Sequence, residues 1–247
     1  MRRSRNFRRP DNPIDGVLLV DKAPDMTSHD VVAIARRALG TRRIGHCGTL
    51  DPMATGLLIL VIGRGTKIQD LLMAEEKEYR GMLTLGVTTN TQDRQGSVLE
   101  QREVPPVDEG VLRPIFEKFK GDFLQIPPMV SAIKKDGVPL YKLARKGQEV
   151  ERDPRPVHVF SYAIGRIEPP HVEFGVRCSK GFYVRTYAAD IGEALGCGAH
   201  LSALRRLRSG KFSVEGAIPA MDLKTTPRGE IEARVMSLAE VSRLRGA

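Results

Sequence analysis

Between residues 45 and 55 the chain sets two glycines, a histidine, two threonines, an aspartate and a proline between two apolar stretches, opening Gly45-His46-Cys47-Gly48-Thr49-Leu50-Asp51-Pro52. Loops held by rigid neighbours are where reactive groups concentrate. Asp51 is the residue of chemical interest. Standing before Pro52, it is pushed towards extended or turn conformations, which could aim its carboxylate outward. Asp-Pro is equally an ordinary turn opener, so both readings stand. A hydrolase would want a second carboxylate or a metal cluster beside Asp51, and neither is evident. His46 can be a catalyst or a satisfied loop side chain. The other histidines, His29, His158, His171 and His200, form no His-x-x-x-His pair, so no metal site is indicated. Gly63-Arg64-Gly65-Thr66-Lys67 lacks the spacing of a phosphate loop.

The elements that must position this loop can be read around it. Residues 14–22 have the apolar, β-branched character of a buried strand, ended near Pro24. Thr27 or Ser28 can cap a helix, with Asp30 completing a capping box from Thr27, an apolar stripe at Val31, Val32, Ile34, Ala35 and Leu39, and Gly40 as its stop. The run 56–63 reads as a second strand and 66–76 as a helix. Tyr79 to Leu85 alternates like a half-buried strand, 90–96 is turn chemistry, and a return strand starts at Ser97. The spacing predicts a helix over 107–119, and Pro127-Pro128 then breaks the chain. Beyond that break come a strand over 129–133, a tight turn at Asp136-Gly137, and a short helix over 139–146 stopped by Gly147. The 157–187 stretch reads as two strands about Pro169-Pro170, the second rising through Gly181 to Thr186. Helices are expected over Tyr187–Leu195, around Leu201, Leu204 and Leu207, and from Arg228 to Arg243. The mixture predicts an α+β fold around one central sheet.

Thirty-nine Lys and Arg against thirty Asp and Glu give a net charge of +9, which points to a polyanion, nucleic acid first. Three clusters carry the excess: Arg2, Arg3, Arg5, Arg8 and Arg9; Lys134, Lys135, Lys142, Arg145 and Lys146; and Arg205, Arg206, Arg208 and Lys211. The first is read as a disordered basic arm. The longest apolar run, 56–63, is far short of the roughly 20 residues that span a bilayer. Cys47, Cys178 and Cys197 are too few and too far apart for a disulfide framework or a Cys-x-x-Cys site, which fits a reducing cytoplasm.

The segment Gly45-His46-Cys47-Gly48-Thr49-Leu50-Asp51-Pro52-Met53-Ala54-Thr55-Gly56 closely resembles the signature of the TruB-type pseudouridine synthases. Five other blocks stand in the family's order: Gly16 to Lys22 with Thr27-Ser28; Lys77-Glu78-Tyr79-Arg80; Gln125-Ile126-Pro127-Pro128 through Gly147; Cys178 to Thr186; and Ala199-His200-Leu201 with Leu204-Arg205-Arg206. The resemblance covers about 14–215. It implies the pseudouridine synthase fold, a mostly antiparallel mixed sheet flanked by helices and loops. It also implies a catalytic domain over 14–218 with an RNA-binding insertion at about 124–155, a basic arm at 1–13 and a short C-terminal segment at 219–247.

By the same resemblance the activity is isomerisation of the T-loop uridine at position 55 of tRNA, with no cofactor and no obligate protein partner; a monomer is the simplest expectation for an enzyme that wraps one tRNA arm, and the histidine spacing and cysteine usage above add no metal and a cytoplasmic setting. Asp51 becomes the essential carboxylate, acting either as nucleophile at C1′ or as base at C2′. Arg185 supplies its opposite charge. Tyr79 stacks on the uracil, Leu204 packs on the other side, and His46 fills the space left by the flipped base. Lys22 supports the loop or contacts RNA, and Tyr183 buttresses the pocket. Three of these have a plain alternative: Arg185 as a surface arginine, Tyr79 as a cross-strand core tyrosine, Leu204 as a core leucine. Two positions depart from the family, Val130 where an aromatic is usual and Tyr187 where a smaller aliphatic is usual. The short segment after the core, where many relatives carry an extra RNA-binding domain, speaks for reduced acceptor-stem contacts and against a guide-directed enzyme. A non-catalytic tRNA-binding or tRNA-folding protein is the alternative from another class.

Overall fold

The computed structural model describes residues 14–131, 133–135, 137–144 and 147–246. The N-terminal arginine arm, Ala132, Asp136, Arg145 and Lys146 lie outside them. In chain order, β1 (Gly16–Lys22) leads to α1 (Ser28–Ala38), β2 (Ile44–Cys47), β3 (Thr55–Ile62), a 3-10 turn over Gly63–Ile68 and α2 (Gln69–Met73). Next come β4 (Lys77–Leu85), β5 (Val87–Thr89), β6 (Val98–Gln101), α3 (Glu109–Lys118) and β7 (Gly121–Gln125). A small ladder of β8 (Lys134–Lys135) and β9 (Val138–Pro139) precedes α4 (Leu140–Ala144), the long pair β10 (Arg155–Glu168) and β11 (His171–Cys178), and α5 (Val184–Leu195). The chain ends with β12 (Ala199–Ser209), β13 (Phe212–Ser213), β14 (Ile218–Pro219), a 3-10 turn over Asp222–Lys224, α6 (Arg228–Ala233) and α7 (Leu238–Arg245). The fold is α+β, with mixed sheet flanked by helices, as the composition of elements predicts.

Two compact units divide the chain. The first comprises residues up to Glu75 and from Arg206 onward. In it β1 and β3 pair antiparallel, β2 joins β3 antiparallel, and β14 adds to β1 in parallel. From Gly56 to Ile62 every β3 residue is buried, which is why the run reads as continuously apolar instead of alternating. Val17, Leu57, Ile59 and Val61 pack with Phe212 and with Val241 of α7 into one core, so the last helix covers this face. The capping box predicted for α1 is present in full: Asp30 N–H donates to Thr27 Oγ1, and the Asp30 carboxylate accepts from the Thr27 N–H.

The second unit runs from Glu76 to Arg205. Its strands β4, β11, β10 and β7 are antiparallel neighbours in that order. Val172, Phe174 and Val176 of β11 turn inward. Against them α3 and α5 bring Phe116 and Tyr187, whose rings meet edge to face with centroids 5.8 Å apart. Tyr187, a departure from the family, is fully buried among Phe116, Phe119, Phe174 and Phe182, and burial raises its phenol pKa.

Several local expectations are corrected. The predicted loop before Asp51 begins as strand β2, because the β3 backbone offers it a ladder. The expected 66–76 helix is split into a 3-10 turn and α2. Among the described residues of 129–133 no strand forms; the strands on either side are β7, before Pro127, which pairs with β10, and the short β8. Val184 to Thr186 open α5 instead of closing a strand, since β11 ends at Cys178, Gly181 turns the chain at φ +79°, and Tyr183 is the last extended residue before the helix. The helix expected around Leu201, Leu204 and Leu207 is strand β12. Its buried positions run 199, 201, then 204, 206, then 209, so an alternating pattern slips phase and mimics a three-residue spacing. The tail is two helices, α6 and α7, interrupted where Met236 exchanges backbone hydrogen bonds with Val17.

Candidate active site

Asp51 sits on a loop whose neighbours are pinned by side chains from β1 and α1. Ser28 Oγ accepts from the Leu50 N–H at 2.9 Å and lies 3.3 Å from the Leu50 carbonyl, to which it donates. Lys22 Nζ donates to the carbonyls of Pro52 at 3.1 Å, Met26 at 2.7 Å and Ala23 at 2.9 Å. The residues on either side of Asp51 are therefore each tied to a buried side chain. Leu50, Met53 and Ala54 bury the loop's apolar side chains, and the Ala54 N–H closes a turn onto the Asp51 carbonyl at 3.0 Å. Burial pulls the Lys22 pKa down to about 8, against the attraction of the Asp51 carboxylate, which raises it.

His46 lies on β2, its ring edge-on to His29 with centroids 5.2 Å apart. Burial, reinforced by the charges of His29 and Arg206, pushes its pKa down to about 4, while a hydrogen bond at the Gly48 backbone opposes the shift. Its Nδ1 is buried with no hydrogen-bond partner among the described residues. The imidazole is thus neutral in the folded protein. Between pH 6.5 and 4 the unfolded chain binds a proton at His46 that the folded chain refuses, so stability falls as pH drops through that window. Relative to a His46→Gln variant, the wild type is expected to lose up to ~3 kcal/mol on going from pH 7 to pH 4, read from urea midpoints. A difference that stays constant across that range contradicts the assignment.

In the second unit Arg185 enters from the first turn of α5 and is 3% exposed. It donates to the carbonyls of Thr91 at 2.9 Å and Val130 at 2.8 Å, and its Nη1 lies 3.5 Å from the Asp93 carboxylate. Asp93 is held in turn by Thr91 Oγ1 at 2.7 Å and the Gln95 N–H at 3.0 Å. The 90–96 turn is itself tied to β12, with the Arg94 N–H on the Leu201 carbonyl and the Leu201 N–H on the Gln92 carbonyl. Tyr183, the residue before α5, has both backbone groups clamped by the buried Gln125 amide, at 2.8 and 3.1 Å. Tyr79 stands half-buried on β4, opposite Val176 of β11. Leu204, 7% exposed, stands on β12, beside β4.

The structure thus gathers Lys22, His46 and Asp51 about one loop, and Tyr183 and Arg185 at one helix start. Arg185 is no surface arginine. Four buried residues take part in this anchoring without such a role read for them in the sequence: Ser28, Gln125 and Arg206, which stand in the family's blocks, and Asp93, which reads as turn chemistry. For Asp93 the Thr91-x-Asp93-x-Gln95 pattern of an Asx turn is the available signal.

Residues 36–184 match the N-terminal domain of TruB family pseudouridylate synthases, and residues 185–237 match the tRNA pseudouridylate synthase B C-terminal domain. The chain belongs to the TruB family of pseudouridylate synthases. As a TruB family member it is an isomerase. The tRNA pseudouridine synthase B of Opitutus terrae is 52% identical over 94% of this chain and 97% of its own length. That of Syntrophotalea carbinolica is 47% identical over 93% of this chain and 75% of its own. Among solved structures, a chain of a Cbf5-Nop10-Gar1 complex aligns with a TM-score of 0.73 at 28% identity, covering 94% of this TruB family chain and 62% of that chain. A chain of the archaeal box H/ACA sRNP Nop10-Cbf5 complex aligns at 0.68 with 27% identity, covering 95% and 64%. This chain therefore spans a little under two thirds of those two. No helix among the described residues is long and apolar enough to cross a membrane.

Proposed function

We propose that the protein converts the T-loop uridine at position 55 of tRNA to pseudouridine, with Asp51 as the reacting carboxylate. The observation that carries this reading is the anchoring of Asp51, whose two neighbours are held by Ser28 and Lys22. Relatives named tRNA pseudouridine synthase B at about half identity support the choice of tRNA. The reaction breaks the bond from C1′ to N1, turns the uracil and joins C1′ to C5; N1 ends with a proton and C5 gives one up. Asp51 opens it either by attack on C1′ or by removing the C2′ proton, and both routes need its ionised form. The chemistry calls for no cofactor.

In this reading Arg185 supplies the opposite charge, Tyr79 and Leu204 sandwich the uracil, and Tyr183 buttresses the pocket. His46, kept neutral by burial, fills the gap left by the flipped base without adding charge. Lys22 supports the loop, since its ammonium ties the Pro52 carbonyl of the loop to the Ala23 and Met26 carbonyls of the turn before α1. Residues 14–218 form the catalytic domain, with the insertion at about 124–155 on the T-arm and 219–247 as a short C-terminal segment. The enzyme works as a cytoplasmic monomer without a protein partner, its basic excess binding phosphates.

The test is an unmodified tRNA transcript tritiated at uracil C5, beside one carrying cytidine at position 55. Stoichiometric release from the first and none from the second is the expected result. Release that survives the substitution, or tight binding without release, overturns the proposal.

A further inference from the structure

Arg206 is among the largest completely buried side chains, at 1% exposed. Burying a guanidinium costs free energy unless its donors are bonded, and a leucine or methionine would suit an apolar interior better. What Arg206 bonds therefore tells why it is there. Its Nε donates to the Leu57 carbonyl at 2.6 Å and its Nη2 to the Gly48 carbonyl at 3.2 Å. Gly48 and Leu57 are the two ends of the segment that carries Asp51.

The glycines of that segment are shaped to the same arginine. At Gly56, with φ +98°, a Cβ would come within 2.3 Å of the Arg206 carbonyl oxygen; at Gly48, with φ +85°, it would stand 3.4 Å from Arg206 Nη1. Both take the left-handed backbone that favours glycine. Gly56 thus makes room for the β12 backbone at residue 206, while the Arg206 side chain closes the base of the loop and Ser28 and Lys22 hold the residues flanking Asp51.

We propose that Arg206 is a positioning residue for Asp51, setting the separation of the loop's ends and hence the place where the carboxylate meets the nucleoside. The proposal rests on Asp51 as the reacting group. Misplacement of a reacting group by about 1 Å costs on the order of 100-fold in rate. Lysine in its place keeps the charge and can make one of the two bonds, whereas methionine makes neither.

The experiment compares single-turnover tritium release at saturating tRNA, tRNA affinity and the pH titration of the His46 ring by NMR in wild type, Arg206→Met, Arg206→Lys and Asp51→Asn. Arg206→Met is expected to lose ~100-fold in rate with affinity changed by no more than about threefold, and Arg206→Lys to recover roughly tenfold of that loss. The His46 titration should rise in Arg206→Met and stay low in Arg206→Lys, since the nearby positive charge helps to depress it. A rate within about threefold of wild type in Arg206→Met, a loss confined to affinity, or unfolding of both variants overturns the proposal. An inactive Asp51→Asn beside an active Arg206→Met refutes the role of Arg206 alone. A fully active Asp51→Asn refutes the Asp51 reading, and with it anything for Arg206 to position.

Discussion

Replacing Asp51 with asparagine is expected to lower uridine isomerisation by roughly 10³-fold or more, because the amide can neither attack C1′ nor take the C2′ proton. The loop should survive the change. Ser28 and Lys22 grip the backbone of Leu50 and Pro52, and Arg206 that of Gly48 and Leu57, none of which involves the Asp51 side chain. Affinity for tRNA should hold within about threefold, since salt-dependent binding comes from basic side chains elsewhere. One local consequence accompanies the loss of charge: the Lys22 ammonium, whose pKa burial already lowers to about 8, loses the Asp51 attraction and should deprotonate more readily still. Single-turnover release of C5 tritium, filter binding and a urea midpoint check the rate, the affinity and the survival of the loop. Activity within tenfold of wild type would exclude Asp51 from the chemistry.

Arg185→Met should destabilise the protein by about 3–5 kcal/mol, the range seen when one member of a buried ion pair is removed. Arg185 and Asp93 are 3% and 4% exposed, so the Asp93 carboxylate would stay buried without its cation. The carbonyls of Thr91 and Val130 would lose their donors as well. Neutralising both partners isolates the ionic part: Arg185→Met with Asp93→Asn should be more stable than Arg185→Met alone, which a double-mutant cycle on urea midpoints measures. A loss below about 1 kcal/mol in the single variant would mean that the pair is more hydrated than its burial indicates.

What can be read along the chain is what neighbours in sequence decide. The capping box of Thr27 and Asp30, the buried run of β3 and the turn over 90–96 depend on residues a few positions apart, and each is present. The family can be read for a related reason: the Gly45–Gly56 segment and five further blocks keep residue types in a fixed order, whatever the reason each is needed. Strand β12 reads as a helix because its phase slips space the leucines by three, a helical interval, and only the register of a strand separates the two.

The anchoring of the site was decided by the tertiary structure. Ser28 reaches Leu50 across 22 positions, Arg185 reaches Thr91 across 94, and Arg206 reaches Gly48 across 158. At such separations a side chain's type does not disclose which backbone group it will meet. Arg206 looks like one more phosphate-binding cation beside Arg205 and Arg208, and packing alone turns it inward to the base of the Asp51 loop. The sequence by itself determined the cap of α1, the buried run of β3, the 90–96 turn and the family of chemistry. The fold determined which charges are buried, because burial depends on everything that packs around a residue and not on the residue itself.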